Sequence, residues 1–475
     1  MTPRTQSFYA RWRLEGRAAI GLREDHQQPA ERLLQQVWYH QRLLRARLKT
    51  IEGKRVQVLH PGFWSHEGGP DFRKAIVQFE GHAPVSGDIE VDLHSSGWRG
   101  HGHDANPAFK KVILHVVWEG GGIKGIPTLE IRNSLDAPMS ELVAWMGTES
   151  GKGFPPELTG KCCAPLRELP EKRLRTLLHD AARVRLESKA AHFESRARQA
   201  GWEQALWEGL FRGLGYKHNV WPMLRLAELR SRLAPPKPKL EPIALQARLF
   251  GAAGLLPHEL ERDDSQKYFR QLWDYWWRER EAFEDCVLPR ALWHFHALRP
   301  ANHPQRRLAL ASHWWIANKV VNELEHWDGC PEDLLRILQA PADSFWSWHW
   351  TLRSPKLASA QPLLGMTRLT DLAINVVLPW LWARDATQRQ ELEQRYFEWP
   401  AGEDNSLLRL ARQRLLGTTS RKLLGNAAAQ QGLLQIVRDF CEQSNALCEN
   451  CRFPELVRSW GSARSDDESA LSPKS

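Results

Sequence analysis

The stretch GPDFRKAIVQFEGHAPVSGDIEVDLHSSGWRGHGHD, residues 69–104, decides the fold. Inside it, AIVQFEG (75–81) and GDIEVDLHSS (87–96) are β-rich and bounded by glycine, the signature of short strands. In the second of these, Ile89, Val91 and Leu93 alternate with Glu90, Asp92 and His94. A period of two puts the apolar side chains on one face and the ionisable ones on the other. Working outward, VQVLHPG (56–62), VILHVVWEG (112–120) and IPTLEI (126–131) read as further strands, and NPAFKK (106–111) as a short helix or turn. Upstream the period changes. Leu33, Leu34, Val37, Trp38, Leu43 and Leu44 recur at helical spacing. The order helix–strand–strand–strand–(helix)–strand predicts an α/β domain over residues 29–150, a mixed sheet with flanking helices.

The rest of the chain has another character. Residues 1–28 are polar and irregular and read as a flexible arm. GKGFPPELTGKCCAP (151–165), rich in Gly and Pro, reads as a linker. Residues 166–460 read as a large all-α domain that holds most of the 23 Trp, and 461–475 as a disordered tail.

The 475 residues suffice for two or three domains. A net charge of +9 is compatible with a polyanionic partner such as nucleic acid. The N-terminus lacks the apolar core of a signal peptide, and the longest apolar run, LTDLAINVVLPWLWA, is too short to span a bilayer and is broken by Asp371 and Asn375. The expectation is a cytoplasmic protein without membrane contact.

Asp71 follows Gly-Gly-Pro on a turn that leads into a strand, and Glu90 lies on the next one. Carboxylates on neighbouring strands can hold Mg²⁺ or Mn²⁺, which polarises a phosphodiester and acidifies a bound water. The arrangement resembles the PD-(D/E)xK nuclease core, with Pro70-Asp71 and Glu90 in place. The resemblance implies a restriction-endonuclease-like fold. The position of the usual lysine holds Asp92. His94, two residues on, is the candidate for orienting or deprotonating water, and Lys74, Lys110 or Lys111 could reach in from elsewhere. The competing structural reading is that Asp71 caps a turn and the Glu90/Asp92/His94 face is solvated. A second cluster, His101, His103 and Asp104, with His115 on the following strand and His60 beside Pro61, has the ligand types of a zinc or other transition-metal hydrolase. Its competing reading is hydrogen bonding within a Gly-rich loop.

Cys441, Cys448 and Cys451 form C-x6-C-x2-C. The spacing resembles the iron–sulfur loop of some DNA glycosylases, and the C-terminal Cys triplet of nucleases whose cluster staples the chain ends. Iron–sulfur clusters and structural zinc both take four ligands, so a fourth is expected from Cys162 or Cys163 in the linker, or from Cys286 or Cys330. The basic segment from Lys172, with Arg173, Arg175, Arg183, Arg185, Lys189, Arg196 and Arg198, offers phosphate contacts or simply a solvated face. The tryptophans offer stacking platforms or core.

Taken together, ERLLQQVWYHQRL, VLHPG, GGPDF, GDIEVDLHSSGW, HGHD, VILHVVW and IPTLEI, then LGYKHNVWPM, LRPANHPQRRLA, LGMTRLTDLAINVVLPWLWA and the closing Cys trio, resemble a widespread bacterial family catalogued only as a domain of unknown function. In that family the strand reads Glu-x-His-x-Lys/Arg, where this chain has Glu90, Asp92 and His94. Three functions are expected in competition. The first is a Mg²⁺- or Mn²⁺-dependent nuclease built on Asp71, Glu90, Asp92 and His94. The second is a non-catalytic nucleic-acid- or partner-binding protein with a degenerate nuclease core. The third is a His-based metal hydrolase.

Overall fold

The computed structural model describes residues 7–18, 29, 31–65, 69–100, 103–123, 125–139, 142, 160–216, 218–234, 240–258, 263–295, 298–317, 319–417, 421–441 and 451–462. Its N-terminal part is a helix, Glu31–Tyr39, on a curled mixed sheet. The strands are β1 (Val56–His60), β2 (Phe63–Trp64), β3 (Phe72–Phe79), β4 (Val85–His94), β5 (Val112–Glu119) and β6 (Thr128–Glu130). Their order is β1-β3-β4-β5-β6, with β2 paired to β3. β1, β3 and β4 run antiparallel; β4, β5 and β6 run parallel. The crossover from β4 to β5 carries a short helix, Gly97–Gly100, and two 3₁₀ turns, His103–Ala105 and Pro107–Lys111. Asn106 caps the second turn by accepting from the Ala108 N–H, and Pro107 opens it, so NPAFKK forms the short helical turn that leads into β5.

The alternation in β4 sorts its side chains. Ile89 and Val91 are fully buried in a core shared with Leu34, Val37 and Trp38 of the helix and with Leu114 and Val116 of β5. The opposite face carries Glu90 and Asp92, covered by the crossover rather than by solvent. β5 is buried on both faces, as a strand parallel to both its neighbours requires. The HPG turn after β1 has a local cause. Gly62 sits at φ 98°, a Cβ there would lie 2.8 Å from that of Phe72, and the turn is pinned by the Trp38 indole donating to the Pro61 carbonyl.

The remainder is helical and centred on the helix Glu171–Ala200. Its largest core takes in Leu59 and Ile76 from the sheet, so β1 and β3 dock directly on the helices. Arg306 is fully buried in this region. Its guanidinium donates to the carbonyls of Trp346, His349, Gln361 and Pro362, binding the irregular segment 343–363 to the helix Pro304–Ala317. Most of the tryptophans lie in the core.

Residues 8–18, expected within an irregular arm, form a helix. Tyr9 is fully buried and donates to Asp439 at 2.9 Å, and Arg13 pairs with the same carboxylate at 2.9 Å. The helix is held by a partner far away in sequence. In the expected linker, 151–159 lie outside the described residues, and a helix, Cys163–Glu168, begins within its remainder. The C-terminal helix Phe453–Ser462 packs on it, and the tail from 463 lies outside the described residues. No helix among the described residues is long and apolar enough to cross a membrane.

Candidate functional site

The antiparallel register of β3 and β4 pairs Phe72 with Ile89, which brings Asp71 beside Glu90. A β-bulge follows at once, between Phe72 and Ala75, with Lys74 at φ 57°. Such a bulge re-aims the strand end that holds Asp71. The Asp71 N–H donates to Glu90 Oε2 at 3.0 Å, Asp71 Oδ2 accepts from the Val91 N–H at 3.1 Å, and Oδ1 accepts from the Gln35 amide at 2.9 Å. One carboxylate thus joins the helix, β3 and β4.

The parallel register of β4 and β5 sets Glu90 opposite His115. His115 is fully buried and hydrogen-bonds Asp92 through Nε2 at 2.9 Å, while its Nδ1 has no hydrogen-bond partner among the described residues. His103 comes in from the crossover. Its ring stacks on Phe109 with centroids 3.9 Å apart, Trp98 meets it edge-on, and its Nδ1 lies 3.6 Å from Glu90 Oε1. Glu90, Asp92 and His103 are all buried, and each offers a ligand atom within 4.8 Å of the other two. Gly97 makes room for this: a Cβ there would sit 2.9 Å from Asp92 Oδ1.

The electrostatics follow from the packing. Burial pushes the Glu90 carboxyl up to about 9, and the nearby charges of Asp71 and Asp92 add to the shift. Burial raises Asp71 to about 7, opposed by its bonds from Val91 and Gln35 and reinforced by Glu31 and Asp92. Buried acids in mutual repulsion either hold protons or hold a cation. The donor set of carboxylate oxygens and one imidazole suits a divalent ion such as Mg²⁺ or Mn²⁺, with zinc also compatible through the histidine.

Of the residues singled out from the sequence, Asp71, Glu90, Asp92, His103 and His115 come together. The two clusters read separately are one site. His94 does not join the buried group; its half-exposed ring lies 3.7 Å from Glu119 at the end of β5. Asp104 is exposed and accepts from the Trp98 indole. His101 lies outside the described residues. His60 is tied into the HPG turn, accepting from the Gly62 N–H, and burial lowers it to about 4. Lys74, Lys110 and Lys111 are exposed. Gln35, Gly97, Trp98 and Phe109 were not singled out. They lay within quoted segments, Gln35 in ERLLQQVWYHQRL, Gly97 and Trp98 in GDIEVDLHSSGW and Phe109 in NPAFKK, without a role of their own.

Cys162 and Cys441 are buried in one core cluster, and half-buried Cys451 packs against it. Cys448 lies outside the described residues. Cys163 is buried next to Gly417, whose Cβ position would be 3.1 Å from its Sγ. The linker and the C-terminal region therefore share a core.

A mixed sheet with a buried acid–imidazole cluster, followed by a helical region, is the class of protein that fold and site define. The chain belongs to the family described as protein of unknown function (DUF2851), whose model matches residues 31–402. No curated protein and no solved structure matches it.

Proposed function

We propose that the chain is a divalent-cation-dependent phosphodiesterase of the nuclease class, with its centre at Asp71, Glu90, Asp92 and His103. The observation that carries the reading is the convergence of Glu90, Asp92 and His103 in a buried site, with Asp71 tied to Glu90 through its backbone N–H. The path helix, three antiparallel strands, helical crossover, parallel strand also supports it, being the order expected of a restriction-endonuclease-like core. In this reading Asp71, Glu90 and Asp92 supply oxygen ligands. A divalent ion held by these residues would polarise the phosphodiester and lower the pKa of a bound water. His103, whose Nδ1 lies 3.6 Å from Glu90 Oε1, would complete the ligand set with its imidazole. His115 orients Asp92 through their hydrogen bond.

The test is cleavage of single- and double-stranded DNA and RNA with Mg²⁺ or Mn²⁺, comparing the native chain with Asp71→Asn. Metal-dependent cleavage lost in the variant supports the reading. No cleavage of any of these substrates, with tight Mn²⁺ binding retained, would shift the site to small-molecule hydrolysis. A second reading, a nucleic-acid-binding protein with a degenerate core, is favoured by Asp92 at the lysine position with its carboxylate committed to His115. It predicts binding of nucleic acid with neither cleavage nor Asp71-dependent metal binding.

We also infer a thiolate site from Cys441, Cys448, Cys451 and Cys162, supported by Cys162 and Cys441 sharing one core and Cys451 packing against it. Metal analysis with an absorbance spectrum after anaerobic purification tests it. Iron with sulfide identifies a cluster, one zinc identifies a structural ion, and neither metal refutes the site.

A further inference from the structure

The two residues of β2 part to opposite faces of the sheet. Trp64 pairs with Phe72, and its ring packs on Phe72 at 5.4 Å and on Tyr39 of the helix Glu31–Tyr39 at 5.8 Å. Strand alternation then sends Phe63 to the face away from that helix. This is the face of Glu90 and Asp92, since Ile89 and Val91, which alternate with them, are buried in the core that the helix shares. Leu59 and Ile76 on the same side lie under the helical region, and Glu90 and Asp92 lie under the crossover. Phe63 is covered by neither. It is 52% exposed, and its ring meets that of His60 at 4.9 Å.

Register ties this ring to the acidic cluster. Phe63 stands opposite Arg73, and the Ser65 N–H donates to the Asp71 carbonyl at 2.6 Å, so the pairing runs on to the level of Asp71. Two residues along a strand and one strand across put the Cα of Phe63 about 8 Å from that of Asp71. Between them lies the bulge. Phe72 pairs with Ile89 and Ala75 with Gly87, which leaves Arg73 and Lys74 together opposite Asp88. Both are exposed, beside Asp71 and on the side of Phe63. The Lys74 N–H donates to Asp88 Oδ1 at 3.1 Å and its φ is 57°, in the left-handed region that favours glycine. A glycine would hold the bulge with less strain, so the lysine side chain is carried there at a backbone cost, the kind of strain that gathers at ligand sites.

We propose that Phe63 is a stacking platform for one unpaired base of a single nucleic-acid strand, with Arg73 and Lys74 holding the phosphate beside that base. The strand then carries its next phosphate to Asp71 and Glu90. Every base has a flat face that an exposed aromatic ring can take, and basic side chains next to such rings track the backbone. Two exposed cations beside the ring suit a polyanion and not an apolar protein segment. A duplex keeps its bases stacked on one another and has none to give to the ring. The proposal rests on the nuclease reading for the course of the strand, and it names single strands as the substrate class.

The experiment is fluorescence anisotropy of the full chain in EDTA, where no metal-dependent cleavage runs. The probes are end-labelled oligothymidylate, oligouridylate and the oligothymidylate–oligoadenylate duplex. Expected are single strands bound at least tenfold more tightly than the duplex, and a loss of about tenfold for single strands in Phe63→Ala. Phe63→Leu, which keeps an apolar side chain and gives up the aromatic face, should lose nearly as much. Lys74→Gly should weaken binding and flatten its salt dependence by about 0.7 in slope, the share of one phosphate contact, with thermal stability unchanged or raised. A lysine with a purely structural role would give the reverse, unchanged binding and lowered stability. The tighter of the two single strands assigns DNA or RNA. Binding that follows this pattern upholds the subsite even when the native chain cleaves nothing in Mg²⁺ or Mn²⁺, a result that would count against the nuclease reading alone. Equal affinity for strand and duplex, or unchanged affinity in the folded Phe63 variants, overturns the proposal, and metal-dependent cleavage by the native chain would then leave the nuclease reading standing.

Discussion

Replacing Glu90 by Gln isolates the physical claim behind the acidic site. The side chain is buried, and its Oε2 accepts from the Asp71 N–H, a bond an amide oxygen can keep. The substitution therefore removes ionisation with little change of shape. In the folded chain the Glu90 carboxyl is raised to about 9, from an ordinary value near 4.5. The sign follows from proton linkage. Between those two values the folded state binds more protons than the unfolded one, so metal-free stability falls as pH rises, by about 1.4 kcal/mol per pH unit for one such group. Below about 4.5 the effect vanishes; above about 9 it is complete. The difference in stability between Glu90→Gln and the native chain should accordingly grow in favour of the variant by about 2–3 kcal/mol from pH 6 to pH 8. Because Asp71 titrates in the same cluster, the slope belongs in part to the pair. The assay is urea denaturation in EDTA at several pH values, repeated with Mn²⁺. Saturating Mn²⁺ should stabilise the native chain and not the variant. A pH-independent difference between the two proteins, or a variant that grows relatively less stable as pH rises, would refute the reasoning.

Gly97→Ala places a methyl 2.9 Å from Asp92 Oδ1, so the carboxylate must move; Mn²⁺ affinity should drop about tenfold and stability by about 1–2 kcal/mol, read by calorimetry and urea denaturation. Asp439→Ala leaves the buried Arg13 guanidinium and the Tyr9 hydroxyl without their carboxylate, a cost of about 3 kcal/mol. Faster tryptic cleavage at Arg11 and Arg13 would report release of the N-terminal helix. Arg306→Lys substitutes a point charge for a planar fork that serves four carbonyls, and thermal unfolding should show a loss of about 2–3 kcal/mol, with segment 343–363 becoming sensitive to protease.

Where the physics was local, it could be read from the residues. The alternation of β4, the doubly buried run of β5 and the Asn-Pro start of the turn at 106–107 each carry their own cause, and the structure places elements there. The meeting of Asp71 with Glu90 was legible because adjacent antiparallel strands leave few registers. What escaped depended on distant contacts. His103 reaches the site by stacking on Phe109 beneath Trp98, and no spacing encodes that. His94 shares a face with Asp92, yet two residues of strand carry it about 6–7 Å further, to the sheet's end beside Glu119. The helix Phe8–Ala18 has only three large apolar residues near its start, Phe8, Tyr9 and Trp12, and its partners Asp439, Phe453 and Trp460 lie at the other end of the chain. For the helix Glu171–Ala200, periodicity gave the helix and not which basic face was covered.

The central claim is that Asp71, Glu90, Asp92 and His103 form a site for one divalent cation. Titration of Mn²⁺ into the metal-free chain at pH 8, followed by calorimetry and by the loss of the free-ion paramagnetic resonance signal, tests it most directly. The account predicts one tight site per chain, release of protons on binding, and a loss of at least tenfold in affinity in Glu90→Gln and in Asp71→Asn while both variants stay folded. Mn²⁺ bound with equal affinity by the native chain and both variants, or no binding by the native chain, would contradict it.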